Sequence, residues 1–200
     1  MEVFEAIKDR RSIRKYEDKP VSEAIVRELL ESVRWAQSWA NTQCWRFIVV
    51  RDNAIKAQLA ETRFQRPPGP PPAAVPGGPA GPPATASAIT QAPVVIAVCA
   101  ELGKAGVRPD GTPSTDKGDS WYMYDTALAT QNLILEAHAL GVGSVILGAF
   151  DARKAAEILE VPEGYCVVVM IPLGYPAQEG RVSPRKELSE IVFTDKFKAG

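Results

Sequence analysis

Apolar residues recur along the chain at two spacings. Ile25, Val26, Leu29, Leu30 and Val33 fall three and four apart, which places them on one side of a helix. Ser22 supplies an N-cap ahead of that stripe, and Val21 and Val26 can staple across it. Val3, Phe4 and Ile7 predict a shorter helix before it, and residues 53–64 a further one. Strands read differently. "WRFIVV" (45–50) is aromatic and β-branched, and "VVIAVCA" (94–100) is an unbroken apolar run that suits a strand covered on both faces. "SVILGAF" (144–150) and "YCVVVMIPLGYP" (165–176) predict two more strands. Between them, Asp151 caps a helix over "ARKAAEILEV" (152–161).

The longest helical candidate runs from Trp121 to Leu140. Tyr124, Leu128, Ile134 and Leu135 make it apolar on several sides, while Ala127, Ala129, Ala137 and Ala139 keep it thin. Such a helix is either central in a core or lies at a subunit seam. Helices and strands without a regular βαβ repeat predict an α+β fold, with residues 1–200 as one domain. One stretch interrupts it. Residues 67–83, "PPGPPPAAVPGGPAGPP", hold nine of the 17 prolines and exclude helix and sheet. They read as an insert in polyproline-II or disordered form, or as a cover over a site. The tail after Pro184 has no place in a local core.

Composition narrows the function classes. With 46% apolar and 24% charged residues, the chain is an ordinary globular one. No apolar run is long enough for a bilayer, and the first residues do not resemble a secretory signal. Cys44, Cys99 and Cys166 are odd in number and widely spaced, which predicts reduced thiols in a cytoplasm. A net charge of −1 argues against a nucleic-acid partner, which requires a broad basic face.

Against that neutral background, "RRSIRKY" (10–16) stands out, with four cations and a hydroxyl in seven positions. Cations at a helix C-terminus complement its dipole, which would explain Arg10 or Arg11. Ser12 and Arg14, and a second cationic pair at Arg185 and Lys186 behind Ser183, ask for more. Guanidinium forks match phosphate oxygens, so the alternative is a phosphate held from both ends of the chain. "SWANTQCWRF" (38–47) is a second polar group: Ser38, Asn41, Thr42 and Gln43 either bond locally at a turn or face a flat heterocycle. There is one histidine, His138, and neither a metal motif, a nucleophile elbow nor a dinucleotide-binding fingerprint. Few side chains are suited to chemistry, so an enzyme of this kind needs a cofactor to supply the reactivity.

Taken in order, "RRSIRKY", "SWANTQCWRFIVV", "QAPVVIAV", "DTALATQNLILEAHALGVGSVILGAF" and "SPRKELSEIV" resemble the FMN-dependent nitroreductase family over nearly the whole chain. The resemblance implies a mostly antiparallel central sheet flanked by helices. It also implies an intertwined homodimer with FMN at the subunit interface and a C-terminal arm around the partner. By position, Arg10, Arg11 and Ser12 resemble the phosphate ligands, joined by Arg185 with Lys186 as helper. Arg14 resembles the cation at the pyrimidine edge of the flavin. Ser38 and Asn41 resemble polar residues reaching in from the second subunit, and Ile146, Leu147, Gly148 and Ala149 the backbone that lines the ring. The activity implied is hydride transfer from NAD(P)H through flavin N5 to nitroaromatic or quinone-type acceptors, with no catalytic side chain. A reductive dehalogenase, a flavin-fragmenting enzyme or a non-catalytic flavin-binding protein would share the fold. Gln37 and Cys44 replace prolines common in the family, and Trp39 is bulkier than the residue expected there.

Overall fold

β2 (Val94–Glu101) is the spine of the molecule, and its position explains its sequence. It lies between β1 (Trp45–Val50) and β4 (Tyr165–Gly174), antiparallel to both, in a four-stranded sheet of order β1-β2-β4-β3. The coordinates are a computed structural model describing residues 1–64 and 85–197, so the proline-rich stretch at 67–83 lies outside the described residues. Both faces of β2 are covered. Val95, Ala97 and Cys99 pack with α3 (Asn53–Glu61), α4 (Thr85–Gln91) and α6 (Ala152–Ile158). Val94, Ile96 and Val98 pack with α2 (Glu23–Arg34) and α5 (Trp121–Ala139). Alternate side chains of a strand point to opposite faces, so a strand between two helix layers has no polar side. A bulge between Val98 and Cys99 shifts the pairing with β4.

The helices start where their caps require. Ser22 Oγ accepts from Ile25 N at 3.3 Å, and Val21 and Val26 are both buried beside it. Asp151 accepts from the backbone of Arg153 and Lys154 at the head of α6. α5 turns Ala129, Leu133 and Ala137 against the sheet. α1 (Val3–Asp9) forms as its pattern predicts, but Val3, Phe4 and Ile7 face solvent. Every residue from Arg181 to Phe197 is exposed, apolar Val182, Leu188, Ile191 and Phe193 included; α7 (Leu188–Ile191) is the one helical turn there.

Two elements differ from their sequence pattern. Of the expected 144–150 strand only Ser144 pairs with β4, together with Gly143 just before it, as β3. Beyond Ser144, Leu147 alone returns, exchanging two 2.9 Å backbone bonds with Met170. Leu147 is buried, whereas Ile146, Gly148 and Ala149 are exposed, and apart from Leu147 the run makes no ladder with β4 beyond Ser144. The helix expected over 53–64 stops at Glu61, because Thr62 O accepts from Asp151 N at 2.7 Å and Arg63 bridges Phe150. Among the described residues, no helix is long and apolar enough to cross a membrane, and no cluster of side chains could hold a metal ion.

Candidate functional site

The chain leaves α1 at Arg10 (φ −57°, ψ 131°) and runs to Tyr16 without helix, with isolated bridges at Ser12 and Tyr16. Two buried residues anchor this segment. Ile13 N donates to Ser144 O at 2.9 Å, and the Tyr16 hydroxyl lies 2.7 Å from Ile13 O and 3.1 Å from Pro172 O. Arg10, Ser12 and Arg14 come together beside these anchors, all three lining one cavity. Gly143 permits the contact with Ile13: a Cβ there would stand 2.8 Å from the Ile13 Cβ. Gly143→Ala is therefore expected to lower stability by about 1–3 kcal/mol, read as a fall in the melting temperature.

The C-terminal segment closes over the same place. A cavity of about 120 Å³ is lined by Arg10, Arg11, Ser12 and Arg14 from one end of the chain and by Arg181, Ser183 and Arg185 from the other. Five guanidinium groups and two hydroxyls meet there, and among the described residues no carboxylate lines it. Three of the guanidinium groups rest on carbonyls. Arg185 Nη1 donates to Ser183 O at 2.9 Å, Arg14 Nη1 to Ser12 O at 3.4 Å, and Arg11 Nη1 to Lys8 O and Arg10 O. Burial, then the charges of Arg11 and Arg185, push the pKa of Arg10 below its usual value. Like charges gathered in one place repel one another, and a bound anion offsets that repulsion. Helix-dipole complementarity accounts for Arg11, which reaches the last-turn carbonyl of Lys8. It does not account for a cation brought from residue 185. Lys186 is exposed and does not line the cavity.

Ser12 pairs with Ser144 in parallel, so the backbone from Ile146 to Ala149 continues in the direction of Arg14. Ile146, Gly148 and Ala149 present an accessible backbone, held in place through Leu147 and Met170.

Ser38 and Asn41 lie elsewhere. Ser38 Oγ accepts from Gln43 N at 3.0 Å, and Asn41 Oδ1 from Gln43 Nε2 at 3.1 Å, so in one chain both bond locally. Their loop is held to α5 by Asp125, whose carboxylate accepts from Trp39 N at 3.0 Å and faces Cys44 Sγ at 3.8 Å. Burial raises the pKa of this carboxyl against the lowering effect of those bonds. Ala40, Asn41 and Gln43 all have positive φ (44°, 57° and 46°), a conformation costing about 1–2 kcal/mol per residue. Such strain persists where the surroundings enforce it, commonly at ligand sites. Asp125 is the single charged residue between Trp121 and Leu135, which is the sequence signal for its anchoring role. It sits near the start of α5, whereas His138, at the other end, lines a second cavity with Arg10 and Arg11. Thirteen helical steps separate Asp125 from His138, or roughly 20 Å. The polar loop and the cationic cavity therefore lie at opposite ends of one helix.

His138 itself makes an acid-linked contribution. Burial, then Arg10 and Arg11, lower its pKa, with Asp9 acting the other way. A folded-state pKa below the unfolded value of about 6.5 means that the unfolded chain binds the proton first. Stability should fall as pH drops from about 6.5 through the lower folded value, then level off. Unfolding midpoints measured down the pH scale should show a shallower decline for His138→Gln.

The model of the nitroreductase family matches residues 7–175. The chain belongs to the nitroreductase family. A putative NADH dehydrogenase/NAD(P)H nitroreductase of Methanothermobacter thermautotrophicus is 31% identical over 182 residues, 89% of this chain and 79% of that one. An FMN reductase [NAD(P)H] of Bacillus subtilis is 26% identical over 197 residues, 92% of this chain and 70% of the relative. Among solved structures, a nitroreductase family protein of Clostridium novyi NT superposes with a TM-score of 0.72 at 27% identity, over 88% of this chain and 87% of that one. Within this nitroreductase-family chain, Arg10 to Arg14 fall inside the matched residues, while Arg181 and Arg185 lie beyond them. Arg181 is the lining residue that the sequence pattern did not single out, because three uncharged residues separate it from Arg185.

Proposed function

We propose that this chain is an FMN-dependent oxidoreductase, using NAD(P)H as reductant and nitroaromatic or quinone-type compounds as acceptors, and that it works as a homodimer. The observation that carries the reading is the acid-free cavity in which guanidinium groups from both chain ends converge. Its donor set fits a phosphate monoester. Guanidinium forks and serine hydroxyls supply donors on several sides, and charge-assisted bonds of this kind contribute about 1.5–3 kcal/mol each. When bound, FMN supplies the hydride chemistry that the side chains of this protein lack.

The residues divide the work of holding it. Arg10, Arg11, Ser12 and Arg185 bind the phosphate, and Lys186, next in sequence to Arg185, is a helper that adds positive charge. Arg14, two positions beyond Ser12, faces the pyrimidine edge and stabilises the negative charge that reduction places there. The Ile146–Ala149 backbone walls the ring. Ser38 and Asn41, roughly 20 Å away along α5, belong to the site of a second copy. The outward apolar face of α1 and the apolar tail support that arrangement, since both are exposed among the described residues. NAD(P)H and the acceptor would use the same exposed side in turn, which suits a chain with no separate nucleotide domain.

The test is direct. Purified protein should be yellow or become so with added FMN, and NADH or NADPH under nitrogen should bleach it. Acceptors of the two proposed classes should restore the colour. A preparation that stays colourless and takes up no FMN overturns the reading. Sedimentation should give a particle of two chains, each 21.6 kDa; a monomer that retains full activity removes Ser38 and Asn41 from the site.

A further inference from the structure

A second group of cations lies away from the phosphate cavity, where β1 ends and β2 begins. Lys56 on α3 is only 4% exposed, yet among the described residues its Nζ has a single acceptor, Ala92 O at 2.7 Å. An ammonium carries three donors. Arg51 donates from Nη1 to Val21 O at 3.0 Å, and its Nε pairs with Glu23 at 3.0 Å. Among the described residues its Nη2 is buried and has no partner. Both side chains line one cavity of about 500 Å³, which shares no lining residue with the flavin cradle. Lys19, also on its wall, is engaged over the Tyr175 ring at 3.9 Å, and Glu17 and Asp18 are exposed at its rim. Unsatisfied donors in buried positions cost free energy that an anionic acceptor would recover. Burial lowers the pKa of Lys56, with the charge of Asp52 opposing it. Desolvation, not an ion pair, therefore dominates its surroundings.

We propose that this cavity is an oxyanion site, independent of the cradle, in which the ammonium of Lys56 and the guanidinium of Arg51 grip the phosphate or carboxylate head of an organic anion. The cavity is larger than a bare oxyanion needs, and Pro20 and Pro93 give it an apolar wall for the organic body.

The probe is inorganic phosphate, titrated calorimetrically into protein saturated with FMN, with acetate as a parallel arm and potassium chloride as the ionic-strength control. One saturable equivalent of phosphate or acetate is expected, and which of them binds identifies the head group. Lys56→Met should weaken it by at least about tenfold while leaving FMN affinity unchanged. Arg51→Gln should weaken it as well, and it answers the question if the lysine variant does not fold. The proposal fails if neither anion binds saturably beyond the chloride control, or if both variants bind as the parent does. It also fails if anion binding seen without FMN disappears once FMN fills the cradle. Should the protein bind no FMN at all, two equivalents of phosphate are expected, and Lys56→Met removes one of them.

Discussion

Arg185→Ala should weaken FMN binding by about 10- to 100-fold, the equivalent of one charge-assisted contact to a phosphate. The expectation rests on position. Arg185 lines the cavity with Arg10, and its charge is felt there strongly enough to help lower the pKa of Arg10. Removing it relieves some repulsion in the empty cavity, which stabilises the unliganded protein slightly and adds to the loss in affinity. Arg185→Lys keeps the charge and loses the fork, so its effect should be intermediate. The absorption spectrum of whatever flavin remains bound should not change if Arg185 meets the phosphate and not the ring, as proposed. An FMN titration that gives the same Kd for mutant and parent would rule out the contact.

Asp125→Ala should cost about 1–3 kcal/mol of stability, the cost of leaving the Trp39 amide without its buried acceptor. Its consequences should extend further into the polar loop. Ala40, Asn41 and Gln43 hold strained backbone next to that anchor, and the strain relaxes once Trp39 is released. Turnover should therefore fall in the mutant at temperatures where it remains folded. Asp125→Asn separates two effects: it preserves one carbonyl acceptor for Trp39 N and removes a charge that burial already disfavours. It should cost clearly less than alanine in a denaturant titration. Equal destabilisation by both substitutions would mean that the charge, not the acceptor, holds the loop.

Much of the architecture was readable because a single physical cause dominated each element. An unbroken apolar run gave β2 because both its faces are covered, and Ser22 and Asp151 marked helix starts through their own hydrogen bonds. The pattern misled where two causes competed. "SVILGAF" has strand composition, but of it only Ser144, with Gly143 just before it, finds a neighbouring ladder, and the remainder is shaped by a single return of Leu147 to Met170. α4 went unread because "TASAITQ" carries no stripe; its burial of Ala88 and Ile89 is settled by tertiary contact. α1 was read as a helix, but an apolar face does not say whether it turns to the core of its own chain.

The candidate site divides in the same way. Its two cationic halves stood out from a nearly neutral chain, and their charge was enough to raise the idea of a shared anion. That residues 10 and 185 meet is a fact of topology, set by the pairing of Ser12 with Ser144 and of Tyr16 with Pro176. The bent backbone at Ala40, Asn41 and Gln43 could not be anticipated, since none of them is glycine. Nor could the distance along α5 that puts Ser38 and Asn41 out of reach of the cationic cavity in the same chain.

Comparison of FMN with riboflavin tests the central claim most directly, since the two differ only in the phosphate. If the converging guanidinium groups hold that phosphate, FMN binds the unliganded protein at least about 100-fold more tightly than riboflavin. Matching dissociation constants for the two flavins would contradict the account.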